Sequence, residues 1–176
     1  MEKYLRRCLD SLIIDEERMK QLEVLVINDG SKDSSSQIAH EYQDKYPDTY
    51  RVIDKENGNY GSCINRGLKE ATGKYIKVLD ADDYFDNLSV SKYIGCLNNI
   101  NVDLIITNYN IVDESGRITR ENISKMNPME IYNADNIINT PTFDLIQMHA
   151  FTYNRHVFDN LNYHQTEGIS YTDQEW

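Results

Sequence analysis

Proline, glycine and cysteine are all scarce in this chain, which has 3, 8 and 3 of them among its 176 residues. So few prolines and glycines exclude a collagen-like or low-complexity protein. The cysteines Cys8, Cys63 and Cys96 are odd in number and form no CxxC pair. This usage argues against a disulfide framework or a zinc site, and it is typical of a reducing compartment.

Positive charge is also in short supply. Lys and Arg total 18 against 29 for Asp and Glu, so the net charge at pH 7 is −11. A chain this acidic is a poor electrostatic partner for nucleic acid and for anionic lipid. A phosphorylated small molecule is not excluded, because a metal ion can bridge phosphate to carboxylate. No apolar run approaches the ~20 residues that are needed to span a bilayer.

Apolar and charged residues are present in the balance of one globular domain. They make up 40% and 27% of the chain, which excludes wholesale disorder. Strands and helices are predicted to alternate after an opening helix that carries Leu5, Leu9 and Leu12. This alternation predicts an α/β fold with a mainly parallel central sheet. The predicted strands are 22–27, 51–54, 75–79 and 103–107; the predicted helices are 34–46, 62–71 and 89–98; a hairpin turn is predicted at 112–117.

Polar clusters follow three of the predicted strands, at residues 28–31, 55–58 and 80–83. The carboxyl ends of parallel strands share one edge of an open α/β sheet, where ligands bind. We therefore expect these three clusters to form a single site at that edge.

The sharpest signal is the acidic triplet of Asp80, Asp82 and Asp83. Three carboxylates so close together repel one another unless a cation or hydrogen-bond donors offset them. Oxygen ligands suit Mg²⁺ or Mn²⁺, and the alternative is an acidic turn that caps the next helix. Tyr84 and Phe85 stand where an EF-hand loop needs Asp or Asn and then Gly, so that motif fails. Tyr84 also disfavours a phosphatase of the haloacid dehalogenase type.

Other polar residues have two open interpretations. Asp29 either accepts a hydrogen bond from a nucleotide base or ribose, or forms an Asx turn with Gly30. Near the C-terminus, Asp173 or Glu175 is either a general base or part of an acidic helix start. Lys77 is expected to be a solvated or edge residue. The histidines show no metal-ligand spacing and are most simply surface or packing residues, with His149 as the weak exception.

Taken together, the motifs resemble those of the glycosyltransferase family 2 enzymes, which have the GT-A fold. The resemblance implies a Rossmann-type αβα sandwich and a metal-dependent, inverting transfer from a nucleotide-diphospho-sugar, with a UDP-sugar as the commonest donor, to an acceptor hydroxyl. It is dense in the first half of the chain and returns near the C-terminus. The matching segments are 4–5 with 8–12, 26–33, 55–58, 65–67, 71–75, 79–83 and 167–176.

The resemblance also implies roles for individual residues on the donor side. Asp29 would contact the nucleotide's base, and Asp80 its ribose or the sugar. Asp82 would hold the Mg²⁺ or Mn²⁺ on the diphosphate. Glu56 and Asn57 would shape the nucleotide-sugar pocket.

On the acceptor side, Asp173 would be the catalytic base. A single base opposite the leaving group gives one displacement with inversion and needs no covalent sugar–enzyme intermediate. The implied acceptor is a saccharide, a lipid-linked sugar or a protein. The expected location is the cytoplasm, with peripheral attachment to the inner face of the plasma membrane, through regions outside this chain, as an alternative.

Three departures from the family pattern qualify the resemblance. The pattern opens with a strand ending in Pro-x-Tyr-Asn, whereas this chain starts at the helix that follows it. Ile64 replaces an Arg common at that position, and the chain stops at Trp176, just past the implied base. We therefore expect a single incomplete GT-A domain over 1–176, with a nucleotide-sugar-binding half (1–86) and an acceptor-side half (87–176).

Two alternatives remain at this point. A truncated binding module would keep the nucleotide contacts without turnover. A nucleotidyltransferase also places carboxylates and Mg²⁺ beside a nucleotide, but it would release pyrophosphate rather than a nucleoside diphosphate.

Overall fold

The computed structural model describes residues 1–123, 126–137, 147–169 and 175. Its helices are α1 (Glu2–Asp10), α2 (Glu16–Met19), α3 (Ser35–Lys45), α4 (Asn59–Glu70), α5 (Asn87–Leu97), α6 (Ala134–Ile137) and α7 (Arg155–Leu161). Its strands are β1 (Val24–Asp29), β2 (Tyr50–Lys55), β3 (Tyr75–Ile76), β4 (Leu104–Ile106), β5 (Tyr109–Val112), β6 (Ile118–Asn122) and β7 (Phe151–Asn154), the last preceded by a single 3-10 turn, Met148–Ala150. Within these residues, every helix is too short or too polar to cross a membrane.

The parallel part of the fold is the pair of strands β1 and β2. Their register aligns Val24 with Tyr50 at one end and Asp29 with Lys55 at the other. The crossover between them is α3, as the βαβ prediction requires. Two of the predicted polar clusters therefore lie side by side at the carboxyl ends of these strands.

A second sheet holds β3, β7 and β4, with β7 in the middle and antiparallel to both neighbours. The α/β class is confirmed, but β7 separates β3 from β4, which the sequence pattern did not indicate. Only Tyr75 and Ile76 pair within the predicted strand 75–79, so the chain leaves the ladder before it reaches Asp80. The predicted hairpin turn is present and joins β5 to β6.

The hydrophobic core lies between α1, α3, α5 and the strands. Tyr50 is fully buried, and its hydroxyl donates to the carbonyl oxygen of Leu9 at 2.8 Å. Tyr42 packs on Tyr50 with ring centroids 5.7 Å apart, so tyrosines fill part of this core. Val26 of β1 and Leu79 pack against the same cluster, so β1 and the residue just before Asp80 lie over one core. The buried members are Leu5, Leu9, Leu12, Met19, Ile38, Tyr42, Tyr50, Val90 and Ile94.

Candidate functional site

The carboxylate of Asp29 organises the loop that follows β2. Its Oδ1 accepts hydrogen bonds from the Lys55 ammonium and from the backbone N–H of Gly58 at 2.9 Å. Its Oδ2 accepts one from Nδ2 of Asn57 at 3.1 Å. Burial opposes ionisation, but the bonds from Lys55 and Gly58 outweigh it and hold the pKa of Asp29 below its usual value. The backbone of Asn59 and the thiol of Cys63 also hydrogen-bond to this carboxylate, so Asp29 is a charged acceptor at the centre of the loop.

Lys55 fastens this loop to the start of α4. Besides Asp29, its ammonium donates to the carbonyl oxygen of Glu56 at 2.7 Å and to Oγ of Ser62 at 2.8 Å. The side chain of Glu56 is exposed, so the described contact of that residue is through its backbone. Asn57 bonds directly to Asp29. The Asn59 backbone, with φ 67°, turns the loop into the helix, and α4 therefore begins three residues before the predicted position.

Asp80 lies within reach of α4. Its Oδ1 accepts a hydrogen bond from the hydroxyl of Tyr60 at 3.1 Å. Burial raises the pKa of Asp80, the Tyr60 bond opposes that rise, and the charges of Asp83 and Asp82 add to it. Sequence reasoning missed Tyr60, although its place in the turn-rich loop after the second strand was a usable signal.

Asp83 is half-buried and meets a histidine from a distant part of the chain. Nδ1 of His149 lies 4.0 Å from Oδ2 of Asp83. Burial raises the pKa of Asp83, while His149 opposes the rise and Asp82 adds to it. The ring of Tyr109 packs edge-on against His149 at 4.7 Å. His149 is thus a neighbour of the acidic triplet, a contact that the sequence did not predict.

Asp82 is the exposed member of the triplet. Among the described residues, no group of three or more His, Cys, Asp or Glu side chains is arranged to hold a metal ion on its own. The oxygen donors still suit Mg²⁺ or Mn²⁺, because burial and mutual repulsion disfavour charge on Asp80 and Asp83, and a cation would offset both. A cation here would need further oxygen ligands from a bound phosphate. Asp173, the predicted base, lies outside the described residues.

Lys77 is not the solvated residue that the sequence suggested. Its ammonium lies 3.3 Å from the carbonyl oxygen of Phe151 and 3.4 Å from Oγ1 of Thr107, and it forms no ion pair with a described residue. Burial lowers the pKa of Lys77 to about 8. The correction follows from β7, whose insertion covers the strand that carries Lys77.

The buried ammonium of Lys77 is expected to make stability depend on pH. Because the folded pKa lies below the unfolded value, the unfolded chain binds more protons between about pH 8 and the usual lysine pKa of about 10.4, and stability rises across that window. The difference in free energy of unfolding between the wild type and Lys77→Met should grow in favour of the wild type as the pH rises from 7 to 9.5. Urea titrations measure this difference. Lys32→Met, which removes an exposed lysine, should show no such trend.

The start of α4 joins Asp29 to Asp80 within an α/β fold of the GT-A type, and two solved structures with this fold are similar to the chain. Staphylococcus aureus TarS 1-349 in complex with UDP-GlcNAc aligns with a TM-score of 0.77 and 22% identity, covering 98% of this chain and 48% of that one. The mannosyltransferase PcManGT from Pyrobaculum calidifontis, in complex with GDP-Man and Mn²⁺, aligns with a TM-score of 0.61 and 15% identity over 92% of this chain and 43% of that one.

The chain belongs to glycosyl transferase family 2, whose model matches residues 1–161. The uncharacterized glycosyltransferase MG025 of Mycoplasma genitalium is 42% identical over 85 residues, which are 47% of this chain and 28% of that relative. The putative glycosyltransferase EpsH of Bacillus subtilis is 35% identical over 108 residues, 61% of this chain and 30% of the relative. The matched segments span less than a third of either relative.

Proposed function

We propose that this chain binds a nucleotide-diphospho-sugar and, with a divalent cation, transfers the sugar with inversion to an acceptor hydroxyl. One observation carries the proposal. The start of α4 joins both predicted donor contacts, because the Gly58 N–H bonds to Asp29 and the Tyr60 hydroxyl bonds to Asp80 at 3.1 Å. Residues 1–86 form the donor half in this proposal, and residues 87–176 the acceptor half.

The nucleotide's base is assigned to Asp29. Asp29 is a charged carboxylate whose two oxygens offer about four acceptor positions, which suits it to receive a hydrogen bond from a base. The pyrimidine N3–H of uracil is such a donor, and UDP is therefore the nucleotide we propose. Support comes from the similar fold of TarS, which binds UDP-GlcNAc in its solved complex.

The diphosphate is assigned to the acidic triplet. Asp82 is exposed, and we assign the cation to it. Asp80, whose Oδ1 accepts a hydrogen bond from Tyr60, is assigned to the ribose or the sugar. A bound Mg²⁺ or Mn²⁺ would supply a Lewis acid for the charge that develops on the leaving phosphate. The mannosyltransferase PcManGT, whose structure is a complex with GDP-Man and Mn²⁺, supports such use of a cation in this fold.

The acceptor hydroxyl needs a base, and we assign that role to Asp173. Glu175, the other candidate, already accepts a hydrogen bond from the Thr166 backbone N–H at 2.9 Å, which favours a structural role for it. The hydroxyl oxygen forms the new bond to C1 of the sugar as the bond from C1 to the phosphate oxygen breaks, and its proton passes to Asp173. The products are the glycosylated acceptor and a nucleoside diphosphate. Acceptors of this class are saccharides, lipid-linked sugars or proteins, and we place the reaction in the cytoplasm or at the inner face of the plasma membrane.

Calorimetry with UDP and UDP-sugars tests the donor site. We expect wild-type binding to tighten at least tenfold when Mn²⁺ is added, because the cation neutralises phosphate and carboxylate together. Asp82→Ala should bind UDP with the same affinity whether or not Mn²⁺ is present. Asp86→Ala, which removes a nearby exposed helix cap, should retain the wild-type response. If the wild type binds UDP with the same affinity with and without Mn²⁺, the metal-dependent part of the proposal is wrong.

A further inference from the structure

Asn65 lies where α4 meets the segment formed by residues 163–167. Its Nδ2 donates to the carbonyl oxygen of Gln165 at 2.9 Å and to Oε1 of Glu167 at 2.7 Å. Its Oδ1 accepts from the backbone N–H of Gln165 at 2.8 Å. One amide side chain thus binds both the backbone and an acidic side chain of the segment, across about 100 positions of sequence.

The packing around these bonds leaves little freedom. Gln165 is fully buried, and its neighbour Thr166 lies directly against Gly61, one helical turn before Asn65. A Cβ on Gly61 would collide with the carbonyl group of Thr166, which is backbone and cannot swing away. The close approach therefore requires glycine at this position.

The segment is also tied at its far side. The hydroxyl of Tyr163 donates to the carbonyl oxygen of Glu175 at 3.1 Å, and the backbone N–H of Thr166 donates to Oε2 of Glu175 at 2.9 Å. Residues 163–166 and Glu175 are thus held together on either side of the stretch that includes Asp173. Asp173 itself lies outside the described residues.

The N-terminal turn of α4 carries the proposed donor contacts, since Tyr60 bonds to Asp80 and Ser62 bonds to Lys55. Tyr60 and Asn65 are five residues apart, or about 7.5 Å along a helix that rises ~1.5 Å per residue. One rigid element therefore touches the donor site at its first turn and the segment 163–167 one to two turns later.

We propose that Asn65 is a positioning residue, which fixes the segment 163–167 to the helix that carries the proposed donor contacts. This segment lies shortly before the proposed base in the sequence, and its attachment is what we expect transfer to depend on. The inference rests on the proposed function for its catalytic consequence. Its structural part, the attachment of the segment through Asn65, stands on the described contacts alone.

Hydrogen exchange followed by mass spectrometry tests the attachment without any need for turnover. Asn65→Asp removes the hydrogen bonds that Nδ2 donates to Gln165 and Glu167, together with its 3.3 Å contact to Nε2 of His164. It also sets a second carboxylate against Glu167, so peptides covering residues 163–169 should exchange at least tenfold faster. Glu167→Gln keeps an acceptor oxygen and should stay near the wild type. The double variant Asn65→Asp with Glu167→Gln replaces the repulsion with an amide–carboxylate hydrogen bond, and should recover part of the lost protection.

Arg66→Ala is the matched control, because Arg66 is the next residue of α4, is exposed and pairs with Glu70 at 3.0 Å. It should leave exchange of the segment unchanged. Equal exchange in wild type and Asn65→Asp would overturn the attachment.

Steady-state kinetics test the catalytic consequence, because a positioning role should change kcat and leave the donor KM nearly unchanged. In Asn65→Asp, kcat for sugar transfer should fall at least tenfold while the donor KM and the UDP affinity change less than twofold, with part of the kcat recovered in the double variant. A kcat equal to that of the wild type, or a parallel loss of UDP affinity, would overturn the positioning role. If the wild type fails to bind any nucleotide while the exchange results hold, the proposed function fails and the attachment through Asn65 does not.

Discussion

Asp173→Asn is expected to lower the rate of sugar transfer by about 100- to 10 000-fold, the usual contribution of a general base. The amide cannot take the acceptor's proton, so the hydroxyl must attack while it still carries that proton. The change is nearly isosteric and leaves the residues assigned to the donor unaltered, so the affinity for UDP should stay within twofold of the wild type. Release of UDP from a UDP-sugar in the presence of acceptor measures the rate, and calorimetry measures the affinity.

Two control variants separate the loss of the base from a general loss of folding or activity. Asp159→Asn removes an exposed carboxylate of α7 and should leave the rate unchanged. Glu175→Gln keeps an oxygen that can accept from Thr166, and so should cost less than Asp173→Asn. Normal transfer in Asp173→Asn would remove that residue from the mechanism. A wild-type chain that binds UDP yet shows the same lack of turnover as Asp173→Asn would instead be a nucleotide-binding module.

The fold was predictable wherever the chain carries a strong local pattern. The apolar run at 22–27 and the short strand predicted at 51–54 correspond to β1 and β2, and the helix predicted between them is α3. Their parallel register then placed Asp29 beside Lys55, as expected from two strand ends on one edge. These features follow from side-chain periodicity, which local sequence encodes directly.

The position of β7 was not predictable in the same way. Phe151–Asn154 is a short strand whose partners, β3 and β4, lie at least 45 residues earlier, so no local pattern reveals the pairing. The burial of Lys77 and the approach of His149 to Asp83 both depend on this insertion. Long-range strand pairing therefore accounts for the parts of the site that the sequence missed.

Contacts between side chains on separate elements form a second group of missed features. Tyr60 and Asn65 carry no charge and belong to a helix whose pattern is merely amphipathic. Their roles became visible only when the partners Asp80, Gln165 and Glu167 were brought within hydrogen-bond distance. Charged clusters are visible in a sequence, whereas neutral residues that position them are not.

Asp29→Asn is expected to weaken UDP binding by at least tenfold. Two effects act in the same direction: the base loses a charged acceptor, and the Lys55 ammonium loses its carboxylate partner. Hydrogen bonds to charged groups contribute about 1.5–3 kcal/mol each, and a factor of ten corresponds to about 1.4 kcal/mol. Calorimetric titration with UDP measures the loss.

Asp54→Asn is the matched control, because Asp54 is an exposed carboxylate at the same end of the neighbouring strand but contacts Asn28, Ser36 and His40 instead of the donor loop. It should bind UDP within twofold of the wild type. An equal loss in both variants would assign the effect to the strand ends in general and not to a contact between Asp29 and the base.

The lowered pKa of Asp29 adds a second signature to this prediction. A carboxyl group whose folded pKa is depressed keeps its stabilising charge above the unfolded value of about 3.9 and loses it only as the pH falls through the folded value. The contribution of Asp29 to UDP binding should therefore be constant from pH 8 down to about pH 5. The ratio of wild-type to Asp29→Asn affinity reports it, since other titrating groups are common to both proteins. A ratio that declines steadily across this range would mean that Asp29 is not the charged, Lys55-paired acceptor on which the donor site depends.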